Sequence, residues 1–364
     1  MKLGHVLSAL WFGSGRPRWH PRSIARRLLS LGLTPLSALF RSSVVWRRKR
    51  LSGSGDALEK LPVPVVVVGN LTVGGAGKTP LVIALVDALR QAGYTPGVIS
   101  RGYGGSATRA RDAVVAVVGD ARDAAERFGD ESVLIQRRTG APVFVGKRRV
   151  DVGRELLASH PEVDMLLSDD GLQHYALARN FEIAVFDARG AGNGRMLPAG
   201  PLREPLTRLA TVDAIVLNGT ATALPALPEG TVPLLPPFHM ELIPGDAYRV
   251  NDPAVTRPLS SFRGRRLTAA AGIGNPQRFF ALLKSLGLSF HRMPLDDHHR
   301  YRENPFSRRN SEAVLMTEKD AVKCARFDEA RMWAVPVFAQ LDPGLIEAIL
   351  GHIGGRRTPA LPAD

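Results

Sequence analysis

Along most of the chain, short aliphatic and β-branched runs alternate with longer stretches whose apolar residues recur every three or four positions. Residues 65–68, 97–100, 165–167, 183–186 and 214–217 have the length and composition of strands buried on both faces. The intervening stretches carry helical spacing, as in Leu81, Leu85, Ala88 and Leu89. This alternation predicts an α/β fold with a mainly parallel sheet and helices on both of its faces. The pattern lapses over 225–237, which is proline-rich and apolar without a period. It resumes beyond Arg265 with a strand at 267–271, a helix at 276–286 and strands near 313–316 and 333–338. The reading is a core domain over 61–235, a linker over 236–264, a smaller C-terminal α/β domain over 265–350 and a tail over 351–364.

Residues 1–60 stand apart in charge. They hold twelve Lys and Arg against Asp56 and Glu59, so +10 of the formal +14 of the 364-residue chain lies in its first sixth. Trp11, Trp19 and Trp46 are there too. Residues 23–33 and 35–46 read as two short helices broken by Gly32 and Pro35, the second with Leu36, Leu39, Phe40 and Val44 on one face and Ser37, Arg41 and Arg48 opposite. The best uncharged run, 28–40, is thirteen residues long and contains Gly and Pro, short of the roughly 20 apolar residues that a spanning helix needs. A secretory leader does not fit either, because the apolar run at 6–12 is short, lacks a small-residue cleavage site and leads into more arginines. Two readings remain: a basic amphipathic segment lying on an anionic membrane surface, drawn there by about 1 kcal/mol per basic residue, or a basic solvated face over the protein's own core. Nucleic acid is not an expected partner, since the balanced remainder shows no basic stripe with interleaved aromatics. The single cysteine, Cys324, excludes an intrachain disulfide and a cysteine-rich zinc site.

Candidate chemistry begins directly after the first strand, at Gly69-Asn70-Leu71-Thr72-Val73-Gly74-Gly75-Ala76-Gly77-Lys78-Thr79-Pro80. Strand, glycine-rich loop, Gly-Lys-Thr and helix follow in the order of a P-loop. In such a loop the backbone N–H groups of residues 72–79 (Thr72, Val73, Gly74, Gly75, Ala76, Gly77, Lys78 and Thr79) approach nucleotide phosphates, Lys78 reaches the terminal phosphates and the Thr79 hydroxyl ligates Mg²⁺. One departure from the usual pattern is Thr72, which stands where the first glycine falls. Gly102-Tyr103-Gly104 and Gly272-Ile273-Gly274 lack the helix or the third glycine of a dinucleotide fold, so NAD and FAD are not expected.

A phosphoryl-transfer site needs a second strand end carrying carboxylate. The run at 165–170 supplies one, a short apolar strand ending in Asp169 and Asp170 and followed by Gly171-Leu172-Gln173-His174. Alone it reads equally as a capped turn; beside the loop it reads as a Mg²⁺ site. Gly129-Asp130-Glu131, Pro201-Leu202-Arg203-Glu204-Pro205, Asp296-Asp297-His298-His299-Arg300 and Thr317-Glu318-Lys319-Asp320 each read singly as surface loops. The last of them has its lysine third, which disfavours a guanine-reading loop.

Taken in order, together with Pro35-Leu36-Ser37, Ser100-Arg101-Gly102-Tyr103-Gly104, Leu197-Pro198-Ala199-Gly200 and Ala271-Gly272-Ile273-Gly274, these motifs resemble the tetraacyldisaccharide 4′-kinase family, the lipid A 4′-kinases of Gram-negative bacteria. That family's loop carries Ser or Thr at the position of Thr72. The resemblance implies transfer of the ATP γ-phosphoryl group to the 4′-hydroxyl of a tetraacylated disaccharide 1-phosphate at the cytoplasmic face of the inner membrane. It implies ATP and Mg²⁺ as cofactors, with Lys78 and Thr79 on phosphate and metal. Asp169 and Asp170 belong at the metal with Glu204 as a further metal position, and Asp297 is a supporting position. Asp130 is implied as the base for the sugar hydroxyl and His298 as its partner. A carboxylate and imidazole sharing that proton are worth roughly 10²–10⁴ in rate. Most of the catalysis would come from positioning and charge neutralisation. With Lys78 in one domain and His298 in the other, the expectation is a site in a cleft whose closure gates turnover, and a protein that acts as a monomer. The alternatives are a membrane-recruited P-loop ATPase serving as a switch or assembly factor and, further off, a basic nucleic-acid-binding protein.

Overall fold

The computed structural model describes residues 7, 10–13, 30–52, 58–108, 114–119, 123–219 and 224–354. Most of the helix expected at 23–33, Trp19, and the tail beyond residue 354 lie outside the described residues. In chain order the elements are α1 (Thr34–Ser52), β1 (Val65–Gly69), α2 (Lys78–Gln91), β2 (Pro96–Ser100), β3 (Val114–Ala116), α3 (Ala124–Phe128), α4 (Asp130–Thr139), β4 (Val143–Gly146), α5 (Arg149–Ser159), β5 (Met165–Asp169), β6 (Phe181–Asp187) and β7 (Ala214–Asn218). They continue with β8 (Phe238–Pro244), β9 (Ala247–Arg249), β10 (Asp252–Arg257), β11 (Leu267–Ala271), α6 (Pro276–Ser285), β12 (Phe290–Pro294), β13 (Ala313–Thr317), α7 (Glu318–Cys324), β14 (Met332–Val335), β15 (Val337–Leu341) and α8 (Pro343–Ile353). The stretch expected as a linker, 236–264, thus carries β8 to β10. The strand expected near 333–338 is two strands, with Pro336, which has no N–H to donate, between them.

By contacts the chain forms two compact units, one of Met1–Lys78, Asp170–Glu241 and Leu341–Gly355, the other of Thr79–Asp169, Leu242–Gln340 and Arg356–Asp364. In the first unit β1 pairs in parallel with β6, β6 with β7, and β7 with β8. Every residue of β1, β6 and β7 is buried, which is why these strands read as continuous apolar runs and not as an alternation.

The same unit holds α1, whose Ser37 side packs and whose Leu36 and Leu39 side does not. Ser37 is buried and its hydroxyl donates to the Met196 carbonyl at 2.9 Å while accepting the Ala199 N–H at 3.0 Å; Arg195 reaches Thr34 at 3.1 Å. These polar anchors turn the Ser37 side inward and leave Leu36 at 53%, Leu39 at 69% and Trp46 at 62% exposure. Amphipathicity marks two unlike faces, but which one packs is decided here by hydrogen bonds to the 196–199 segment.

In the second unit β2 lies between β5 and β4, parallel to both, with β3 antiparallel on β4. Leu81, Leu85 and Leu89 of α2 are fully buried, as their spacing predicts. A second sheet runs β10-β9-β14-β13-β11-β12, in which β12, β11, β13 and β14 are parallel and β9 and β10 add an antiparallel edge. The Phe262, Phe279, Phe280 and Trp333 side chains fill one face of it. Among the described residues, no helix is long and apolar enough to cross a membrane.

Candidate active site

In each unit the polar groups gather at the carboxyl ends of parallel strands, where open α/β sheets bind ligands. In the first unit β1 runs into the loop 70–77. Its first residues are extended: Thr72 forms an antiparallel bridge with Leu202, the Val73 N–H donates to the Pro201 carbonyl at 2.9 Å and the Arg203 N–H donates to that of Leu71. A strand-like pairing needs no glycine, which accounts for threonine at position 72. Beyond it the loop turns through positive φ at Gly74 and Gly77. A Cβ at Gly77 would stand 2.0 Å from Nδ2 of Asn218, so glycine is required there on both counts.

Three side chains tie down the loop's carbonyls. Asn70 donates to Gly74 at 2.9 Å, Arg189 to Gly75 at 2.8 Å and Asn218 to Ala76 at 2.7 Å. With its carbonyls engaged, the loop is built to offer its N–H groups to an anion, and α2 begins at Lys78 with its positive dipole end at the same place. The Lys78 ammonium is held by Asn70 Oδ1 at 3.1 Å and Asp170 Oδ1 at 3.3 Å. Asp170, just past β5, has φ of 48°, a strained conformation of the kind that clusters at functional sites. Burial pushes its carboxyl up, but the Lys78 ammonium and the Arg203 guanidinium, 3.2 Å away, outweigh that and draw it down to about 2.

Glu204 is buried, accepting from Gln173 at 2.7 Å and paired with Arg208 at 3.3 Å, and Arg208 also pairs with Glu182. Gln173 further donates to the Asn70 carbonyl at 3.3 Å, so this ion-pair chain supports the base of the loop. Removing one charge from such a buried set costs about 3–5 kcal/mol.

In the second unit Thr79 is buried in the first turn of α2, and Asp169, at the end of β5, accepts from Ser100 at 3.5 Å. Thr79 and Asp169 carry the hard oxygen donors that Mg²⁺ prefers, as does Asp170 in the first unit. Among the described residues no cluster of three or more His, Cys, Asp or Glu side chains stands ready to hold a metal by itself. The donor set therefore fits a metal carried with nucleotide phosphates, bound through one or two carboxylates, and not a closed protein cage.

The same unit brings Asp130 and His298 together. Asp130 opens α4 at 3% exposure, and its two carboxylate oxygens lie 3.0 and 3.1 Å from His298 Nδ1. Lys323 approaches one oxygen at 3.2 Å and the Glu131 N–H donates to the other at 2.9 Å. Burial alone would raise the Asp130 carboxyl; the His298 hydrogen bond and the Lys323 and Lys319 charges instead hold it well below the usual carboxylate range. The hydrogen bond to Asp130 raises His298 against the opposing effect of burial. His298 Nε2 lies 3.9 Å from Asp297, and the imidazole packs on the Tyr103 ring, centroids 5.1 Å apart. His298 is itself in the left-handed region at φ 54°, a cost of roughly 1–3 kcal/mol for a non-glycine residue.

Sequence reasoning singled out Asp130, His298 and Asp297 but not the groups beneath them. Thr317-Glu318-Lys319-Asp320, read singly as a surface loop, is the start of α7, with Glu318 and Asp320 buried. Lys319 pairs with Glu131 and Glu318 with Arg138 at 2.7 Å. The 271–274, 297–299 and 317–320 motifs follow β11, β12 and β13, the adjacent parallel strands of one sheet. That common placement was the available signal, and it needed β12, whose half-buried and exposed residues are not a continuous apolar run.

A family model described as LpxK, tetraacyldisaccharide-1-P 4′-kinase, matches residues 29–354. The chain belongs to this family. The tetraacyldisaccharide 4′-kinase of Janthinobacterium sp. (strain Marseille) is 50% identical over 341 residues, which cover 91% of this chain and 94% of that one. The tetraacyldisaccharide 4′-kinase of Dechloromonas aromatica (strain RCB) is 50% identical over 318 residues, covering 86% and 92%. Among solved structures, a crystal structure of LpxK from Aquifex aeolicus in complex with ATP matches at a TM-score of 0.73 and 27% identity, over 89% of this chain and 99% of that one. The tetraacyldisaccharide 4′-kinase family thus spans the loop, the aspartate pair and the Asp130–His298 contact alike.

Proposed function

We propose that this chain is an ATP-dependent kinase that transfers the γ-phosphoryl group to the 4′-hydroxyl of a tetraacyldisaccharide 1-phosphate. The observation that carries this reading is a Lys78 loop of P-loop form within a chain matched to the kinase family from residue 29 to residue 354. The loop N–H groups and Lys78 hold the phosphates in line, and Thr79, Asp169 and Asp170 are the donors we assign to Mg²⁺. When bound, the ion neutralises charge on the transferred group. Glu204, engaged with Gln173 and Arg208, supports the loop from below.

A sugar hydroxyl must lose its proton as it attacks. Sequence reasoning gives that proton to Asp130; we assign it to the outer nitrogen of His298, because both Asp130 oxygens are engaged and the carboxyl is held far down. In this role Asp130 fixes the imidazole through Nδ1 and stabilises the imidazolium that forms. Protein, ATP, Mg²⁺ and the disaccharide acceptor together should yield the 4′-phosphate. Failure to form it under conditions where a relative from the family succeeds removes the reading, and ATP hydrolysis that ignores the acceptor favours the switch-like ATPase instead.

The acceptor's acyl chains keep it in a bilayer, and we assign α1 to the surface of the inner membrane on its cytoplasmic face. Leu36, Leu39 and Trp46 point outward beside exposed Arg41, Arg47, Lys49 and Arg50, a combination suited to anionic lipid. Changing Leu36, Leu39 and Trp46 together to serine should weaken co-sedimentation with anionic vesicles about a hundredfold, on the order of 3 kcal/mol, while leaving ATP affinity as it was. Unchanged sedimentation assigns α1 another role.

A further inference from the structure

We infer that Lys323 is a positioning residue of the Asp130–His298 pair, and that its ammonium, shared with Asp320, sets the pH at which the imidazole becomes free to take a proton. The inference rests on the reading that this pair serves the acceptor hydroxyl.

Lys323, on α7, stands between two carboxylates, 3.2 Å from Asp130 Oδ2 and 3.3 Å from Asp320 Oδ1, with its side chain 10% exposed and lying over the Tyr301 ring. Asp320 is fully buried. Its other oxygen accepts the Gly272 N–H at 2.9 Å and the Thr317 hydroxyl at 2.7 Å. The Gly272 carbonyl in turn accepts the His298 N–H at 3.2 Å. A Cβ at Gly272 would stand 2.8 Å from Asp320, so this approach is open to glycine alone. One carboxylate and one cation therefore reach both members of the pair. Asp320 holds the strained backbone of His298 through Gly272, and Lys323 holds the carboxylate that the imidazole faces.

The charges acting on His298 are Asp130 and Glu131 from α4 and Asp297 from its own loop, with the Tyr103 ring against its face, while Lys319 and Lys323 of α7 act on Asp130. Asp130 favours the imidazolium. Lys323, on the far side of that carboxylate, weakens the pull and lets the imidazole deprotonate at lower pH. Removing the cation should leave His298 protonated to higher pH; removing the Asp320 charge, which competes for Lys323, should do the reverse.

The test is titration of His298 by NMR in the full chain with labelled histidine, its signal identified by loss in His298→Gln, beside the pH profile of kcat/KM. Lys323→Met should raise the His298 midpoint by roughly half a unit to one unit, Lys323→Arg should restore it, and Asp320→Asn should lower it. A residue that only props up the fold would reduce the rate at every pH and leave the midpoint in place, so an unmoved or lowered midpoint in Lys323→Met overturns the inference. If Lys323→Met does not fold, Asp320→Asn decides, a downward shift supporting the inference and any other result overturning it. A raised NMR midpoint with an unmoved rate profile upholds the role of Lys323 and removes the assignment of His298 as the proton acceptor.

Discussion

Lys78→Ala should lower kcat by roughly 10²–10³, the scale for loss of one preorganised charge aimed at developing negative charge. Two effects add. The phosphates lose the ammonium that neutralises them, and Asp170 loses one of the two cations that balance it, Lys78 at 3.3 Å and Arg203 at 3.2 Å. Because Asp170 is drawn down to about 2, it stays ionised throughout the working pH range and would then repel the phosphates. ATP affinity should therefore fall along with kcat, and Asp170→Asn placed on Lys78→Ala should recover part of the affinity but little of the rate. Lys78→Arg should not restore activity. The side chain is buried between Asn70 and Asp170, where a planar guanidinium does not replace a compact ammonium. Steady-state kinetics with ATP varied settles this, and a Lys78→Ala protein with full kcat would exclude the loop from the reaction.

Asp130→Asn has the second large effect, a loss of roughly 10²–10⁴ in kcat with a change in the shape of the pH profile. In the wild type the imidazole must be neutral to accept a proton, so the rate rises with pH through the raised His298 midpoint. The amide removes the charge that favours the imidazolium, and the midpoint should fall toward the ordinary value of about 6.5. The variant is then slower everywhere but reaches its plateau at lower pH, a pattern that global damage does not produce. Stability follows the same linkage. With its folded value raised, His298 contributes stability fully below its unfolded value, and the contribution is lost as pH rises through the folded one. Thermal unfolding of wild type should lose this increment across that window, and Asp130→Asn should show little of it.

The parts of the fold legible in the sequence are those decided locally. Residues 65–68, 165–167 and 214–217 are buried on both faces and so appear as apolar runs, and the order of strand, glycine loop and Gly-Lys-Thr is a contiguous signal. Asp130 and His298 were paired through the family resemblance, since nothing in local spacing links residues 168 positions apart. Lys323 lay beyond reach for a related reason. It sits on a seven-residue helix as an ordinary lysine; Asp320 is three positions before it on that helix, and only the packing of α7 against α4 adds the second carboxylate, Asp130. The inward face of α1 was likewise set by carbonyl and amide groups at 196 and 199, which no helical periodicity encodes.

The outward face of α1, which we assign to lipid, has a practical consequence for the protein in lipid-free solution. Leu36, Leu39 and Trp46 then have only one another's counterparts on other molecules to cover them, and large apolar side chains left exposed on one helix are an aggregation liability. The neighbouring arginines hold copies apart by repulsion at low ionic strength. Added salt screens that repulsion, and it also screens the attraction to anionic vesicles. Self-association in dilute detergent-free buffer should thus grow with the same salt that releases the protein from vesicles, so light scattering and vesicle binding should respond to sodium chloride in opposite directions.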